Sequence, residues 1–122
     1  MRPYRVTIFL LWLATIWYLS LVSNLPLPET SFVGFDKLEH AGAYALLAFL
    51  AVLAFEPVLA GWRSVVLVIV ILSVNGAILE CLQKVMCQGR SFEVADMAAN
   101  TVGTAVGAVV ARRVTGHRER GR

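Results

Sequence analysis

Apolar residues in this chain gather into four long runs, broken by short polar stretches. The runs cover about 6–22 (VTIFLLWLATIWYLSLV), 38–55, 64–83 and 92–111. Each comes close to the roughly 20 residues that cross the hydrocarbon core of a bilayer as a helix. β-branched residues crowd the third run (SVVLVIVILSV), which raises the alternative of a buried strand. The run is far longer than an ordinary strand. In lipid only helices and closed barrels satisfy their backbone polar groups, and this chain is too small and too continuously apolar for a barrel. The pattern predicts an all-α fold: an integral membrane four-helix bundle forming a single domain over residues 1–122.

The breaks between runs carry ordinary loop chemistry. In 24–36 (NLPLPETSFVGFD), Pro26 and Pro28 forbid a regular helix and Gly34 adds a second break. Leu25, Leu27, Phe32 and Phe35 would let this connector skim the membrane surface. Glu56-Pro57 ends the second run, a turn with Gly61, Trp62 and Arg63 follows, and KVMCQGRS (84–91) forms the next loop. Arg2 and Arg5 before the first run resemble the start of a signal peptide. The run is too long for that, carries Trp12, Trp17 and Tyr18, and lacks a following A-x-A site. It is expected to remain as a span, with Trp17 and Tyr18 toward the far interface.

Composition narrows the class further. Of 122 residues, 58% are apolar and 16% charged, with a mean hydropathy of +0.71. Soluble domains are about half apolar and about a quarter charged. Such a chain could hardly cover its surface in water, and four spans leave no room for a soluble catalytic domain. The net charge is +3, and five of the eleven Lys and Arg residues lie in 112–122. A basic tail after an apolar span reads as a cytoplasmic anchor beside anionic lipid. A nucleic-acid partner is not expected, because the tail is short, lacks aromatics and is tied to the membrane. With the N-terminus inside, Arg2, Arg5, Arg63 and the tail place eight of eleven positive residues in the cytoplasm. Lys37, Lys84 and Arg90 face the other side. The expected location is the cell membrane, a bacterial cytoplasmic membrane, multi-pass with N-in and C-in. Cys81 and Cys87 form no C-x-x-C pattern. Cys81 reads as a packing residue, and pairing of the two stays open.

Polar residues inside spans cost up to about 3 kcal/mol each for a charge at the helix centre. Here they collect at one leaflet. The second run opens with Asp36, Lys37, Glu39, His40 and Tyr44, and Asp36, His40 and Tyr44 share a face at four-residue spacing. The third ends with Asn75, Gly76, Glu80 and Gln83. The loop supplies Arg90, and the fourth run opens with Glu93, Asp96 and Asn100. By the orientation above this is the outer leaflet. The Asp96–Asn100 face continues as Gly103 and Gly107, a G-x-x-x-G pair flanked by Ala99 and Ala111. Small residues admit a close helix, either within the chain or from a second copy in a homo-oligomer.

The ordered set Asp36-Lys37-Leu38-Glu39-His40, Tyr44, Glu80-x-x-Gln83, Arg90 and Asp96-x-x-x-Asn100-x-x-Gly103 resembles the VanZ-like family over about 25–109. The resemblance implies a four-helix integral membrane protein of the cell envelope. The family takes its name from an accessory factor in glycopeptide (teicoplanin) resistance.

Several chemistries fit these residues. The first is binding of an anionic or lipid-linked ligand, such as a cell-wall precursor, beside membrane lipid. Arg90 and Lys37 would contact anionic groups, Asp36, His40, Glu80, Asp96 and Asn100 would form the interior, and Tyr44 and Gln83 would orient them. The second is an outer-leaflet enzyme with His40 as general base and Asp36 or Glu80 beside it. Ser91 and the cysteines lack a nucleophile motif. A metal could suit the imidazole and carboxylates, but the spacing matches no ligand signature, so no metal or cofactor is assigned. A structural membrane subunit is the remaining reading. Transport is disfavoured because the ionisable groups stay near one edge.

Overall fold

The structure, a computed structural model, describes residues 2–22, 34–56, 61–86 and 93–120, with side chains described as far as 116. It contains four helices: α1 (Pro3–Leu21), α2 (Phe35–Phe55), α3 (Trp62–Met86) and α4 (Val94–Arg120). They hold 19, 21, 25 and 27 residues. At 1.5 Å per residue they run for about 28 to 41 Å, against a bilayer core of about 30 Å. All four are long and apolar enough to cross a membrane, and the described residues contain no strand. The all-α bundle follows as the pattern predicts.

The helix ends differ from the apolar runs by a few residues, for local reasons. α1 opens on Pro3, whose missing N–H costs nothing in a first helical turn. α2 opens earlier than expected because Gly34 adopts φ 100°, a left-handed conformation that suits glycine, and turns the chain into the helix. α4 does not stop at 111. It continues through the basic segment to Arg120, since none of the residues after 111 is a proline. Its membrane-length portion is Val94–Gly116. Most of the 24–36 connector, Pro57, Cys87, Arg90 and Ser91 lie outside the described residues.

α2 and α4 form the tightest pair. A Cβ added at Gly103 would sit 2.1 Å from Ala41 O, and one at Gly107 would sit 1.9 Å from Ala45 O. The G-x-x-x-G stripe is therefore used inside the chain, against an A-x-x-x-A stripe on α2. Lipid gives apolar helices little reason to associate, so close packing of small residues is what holds such a pair. Ala48, Ala51, Ala54, Ala108 and Ala111 extend the same logic through the core. α1 lies at the side and buries only Phe9 and Ile16. Phe9 meets Phe55 edge-on at 5.6 Å between ring centroids. Val66, Val70, Val74 and Ile78 on α3 and Val102, Val106 and Val110 on α4 are exposed at about one-turn spacing, the stripes a bundle offers to lipid.

One expectation about a single residue changes. Cys81 is an exposed free thiol, not a packing residue, because Leu79, Glu80 and Gln83 take the inward face of that turn. Trp17 is half-buried and bonded into the bundle, whereas Tyr18, one position on, is exposed.

Candidate functional site

The C-terminal ends of α1 and α3 and the N-terminal ends of α2 and α4 meet at one end of the bundle. The opposite end is closed more simply. There Arg5 Nη1 donates to Leu53 O at 3.1 Å and pairs with Glu56 Oε2 at 3.2 Å.

At the polar end, Lys37 Nζ is ringed by three carboxylates. It lies 2.5 Å from Asp36 Oδ2, 2.5 Å from Glu93 Oε2 and 2.6 Å from Asp96 Oδ1. The Asp96 contact is ionic in character, since no hydrogen bond of acceptable angle reaches Oδ1. Asp36 and Asp96 also occupy the first turns of their helices, where backbone N–H groups favour negative charge. Lys37 is expected from the sequence to meet an anionic ligand. Its ammonium is already held by acids from α2 and the start of α4. Asp36, expected in the interior, stands exposed at the rim because it belongs to the outermost turn of α2.

One turn deeper lies His40. Its Nδ1 faces Asn100 Oδ1 at 3.1 Å, and its Nε2 faces Asp96 Oδ2 at 3.8 Å. Asp96 and Asn100 are one turn apart on α4, so a single imidazole from α2 spans both. An amide oxygen can only accept, so Nδ1 donates to Asn100, and Nε2 is the ring nitrogen that faces Asp96. Glu80 approaches from α3. Ligand atoms of His40, Glu80 and Asp96 all lie within 4.8 Å of one another. Glu80 is 3% exposed, Asp96 8% and Asn100 2%, so two carboxylates and an amide are sunk among apolar helices.

Deeper still, polar groups form a relay. Trp17 Nε1 donates to Asn75 Oδ1 at 3.0 Å, and Asn75 Nδ2 donates to Tyr44 Oη at 3.0 Å. Gly76 makes room for this level, because a Cβ there would sit 3.1 Å from Asn100 Nδ2 and 3.4 Å from the Tyr44 ring. Thr104 Oγ1 donates to the backbone Asn100 O at 2.8 Å. Tyr44, expected to orient the acids, accepts from Asn75 through its hydroxyl oxygen. Gln83 Nε2 donates to Ser20 O at 2.8 Å and ties α3 to α1. The Trp17–Asn75 bridge was not foreseen. Its signal was present, since an asparagine inside an apolar span is costly unless it is paired.

A cleft of about 730 Å³ opens between α1 and α2 beside this column. Its apolar wall includes Ile16, Leu19 and Leu46, and Glu39, His40 and Gln83 supply polar atoms. Of the expected site residues, the bundle thus brings His40, Glu80, Asp96 and Asn100 together and sets Gln83 at the cleft. Lys37 and Asp36 sit above them, and Arg90 lies outside the described residues. No protein-family model, curated protein or solved structure matches the chain.

Proposed function

We propose that this protein is a VanZ-like membrane protein of the cell envelope whose polar site binds a lipid-linked ligand from the outer leaflet. The observation that carries this reading is the junction of cleft and column. His40 belongs both to the buried His40–Glu80–Asp96 cluster and to the lining of the α1–α2 cleft. A ligand with an apolar chain would lay it against Ile16, Leu19 and Leu46 and bring its head group to His40 and Gln83. The lipid-linked half of the expectation gains more support than the anionic half, because Lys37 is occupied by its own acids. The outer-leaflet placement rests on the excess of arginine at the opposite end, with N-in and C-in termini in a bacterial cytoplasmic membrane.

The test is a deletion strain analysed for lipid-linked cell-wall precursors and for teicoplanin susceptibility. The expected result is one accumulating precursor and a changed response to the drug, restored by the intact chain but not by Leu46→Trp, which fills the cleft. Unchanged precursor pools and susceptibility would sink the reading.

The second reading, an outer-leaflet enzyme with His40 as general base, is favoured by one detail. Asn100 holds the imidazole with Nε2 turned toward Asp96 and the interior. His40→Gln keeps a polar group and removes the proton acceptor. Loss of precursor turnover with normal precursor binding would favour the enzyme, and loss of both would favour binding alone.

A further inference from the structure

Among the described residues, two trios of potential metal ligands converge at the polar end, and they are not equivalent. Asp36, Glu93 and Asp96 surround Lys37 Nζ, which already supplies their cation. His40, Glu80 and Asp96 present an imidazole nitrogen and two buried carboxylates from three different helices. We infer that this second trio is a binding site for one first-row divalent cation of the zinc or manganese type.

Four features point to a cation. The donor set of one imidazole and two carboxylates suits zinc and manganese. The Nε2–Oδ2 separation of 3.8 Å is too long for a hydrogen bond. With metal–nitrogen and metal–oxygen bonds of about 2.1 Å it corresponds to an angle of about 130° at the ion, so a single ion can touch both atoms, and a closure of about 0.4 Å would make the angle tetrahedral. His40 also carries the support typical of a ligating histidine: the other ring nitrogen donates to a fixed acceptor, here Asn100 Oδ1 at 3.1 Å. Finally, the two Asp96 oxygens are divided between partners. Oδ1 faces Lys37 at 2.6 Å, which leaves Oδ2 directed at the imidazole. Three protein ligands leave coordination positions open, and His40 lies on the wall of the α1–α2 cleft, so an exogenous ligand could reach the ion from there.

The cation would bind whether or not a lipid occupies the cleft, so the test contains no lipid. Full-length protein in detergent micelles is stripped with a chelator and titrated with zinc chloride against a chromophoric competitor, and separately with manganese chloride followed by electron paramagnetic resonance. One ion per chain is expected. His40→Gln, Glu80→Gln and Asp96→Asn should each weaken binding at least tenfold, while Glu56→Gln at the far end should not. His117→Gln controls for the other histidine of the chain. Should the carboxylate variants fail to fold, pulsed resonance on the unsubstituted protein loaded with manganese decides the matter. Nitrogen-14 modulation from an imidazole that persists in His117→Gln supports the site. Binding of less than one ion per chain, binding unchanged in His40→Gln, or an imidazole signal lost in His117→Gln would each overturn it.

Discussion

Glycines in this protein do unequal work, and the difference can be measured. At Gly107 a Cβ would meet the Ala45 carbonyl at 1.9 Å, which no side-chain motion can relieve. Gly107→Ala must push α4 from α2, and overpacking of this kind costs about 1–3 kcal/mol. A Cβ at Gly42 meets nothing within 4 Å, so Gly42→Ala should be neutral or should gain up to about 1 kcal/mol from helix propensity. Thermal unfolding in one detergent, monitored by circular dichroism, should rank the two in that order. Equal melting temperatures would contradict the α2–α4 contact. Asn75 is a second informative position because it bridges Trp17 and Tyr44. Interhelical hydrogen bonds in membranes are worth about 0.6 kcal/mol each. Asn75→Leu should therefore lose about 1–2 kcal/mol, the upper end reflecting a buried Tyr44 hydroxyl left without its donor. Its melting temperature should fall, and the emission of Trp17 should shift as the indole N–H loses its acceptor.

Among the helices, α2 is the organiser. It offers Ala41 and Ala45 to α4, His40 to the cluster, Tyr44 to α3 and the Ala43 carbonyl to Trp12 of α1 at 3.1 Å. The Lys37 clamp joins α2 to the start of α4. Lys37→Met would leave three carboxylates facing one another without a cation. Half-exposed pairs are worth less than buried ones, so the expected loss is about 1–3 kcal/mol at neutral pH. Protonating the acids removes their repulsion. The gap in stability between Lys37→Met and the unsubstituted protein should narrow as pH falls toward 4 and widen as it rises. A gap independent of pH would show that Lys37 contributes only packing. α1 is held at the side, by Arg5, Phe9, Trp12, Trp17 and the Ser20 carbonyl, and it forms one wall of the cleft.

The bundle as a whole is polarised from end to end. One end gathers Asp36, Lys37, His40, Glu80, Glu93 and Asp96, and the other holds the Arg5–Glu56 pair. With an even number of crossings, both termini should lie on the same side. From the arginine count we propose that this side is the cytoplasm. Reporter fusions at residue 1 and residue 122 should both read as cytoplasmic. A thiol reagent confined to the outside should reach a cysteine placed at Asp36 but not one placed at Arg63. The reverse labelling would invert the leaflet in which the ligand is sought.

Much of this architecture was legible in the chain. Four apolar runs of bilayer length dictate four helices, because lipid offers the backbone no other partners. The cost of polar groups in lipid marks the second, third and fourth runs as the source of a shared site. Spacing along a helix also shows that Asp96, Asn100, Gly103 and Gly107 follow one face. What spacing cannot express is distance between helices. Whether the glycine stripe meets α2 or a second copy, whether Lys37 is available or already ringed by acids, and whether His40 reaches Asn100 and Asp96 together all depend on how helices far apart in the chain are set against one another. Those contacts are decided by ångström-scale packing of small side chains, and no one-dimensional pattern records it.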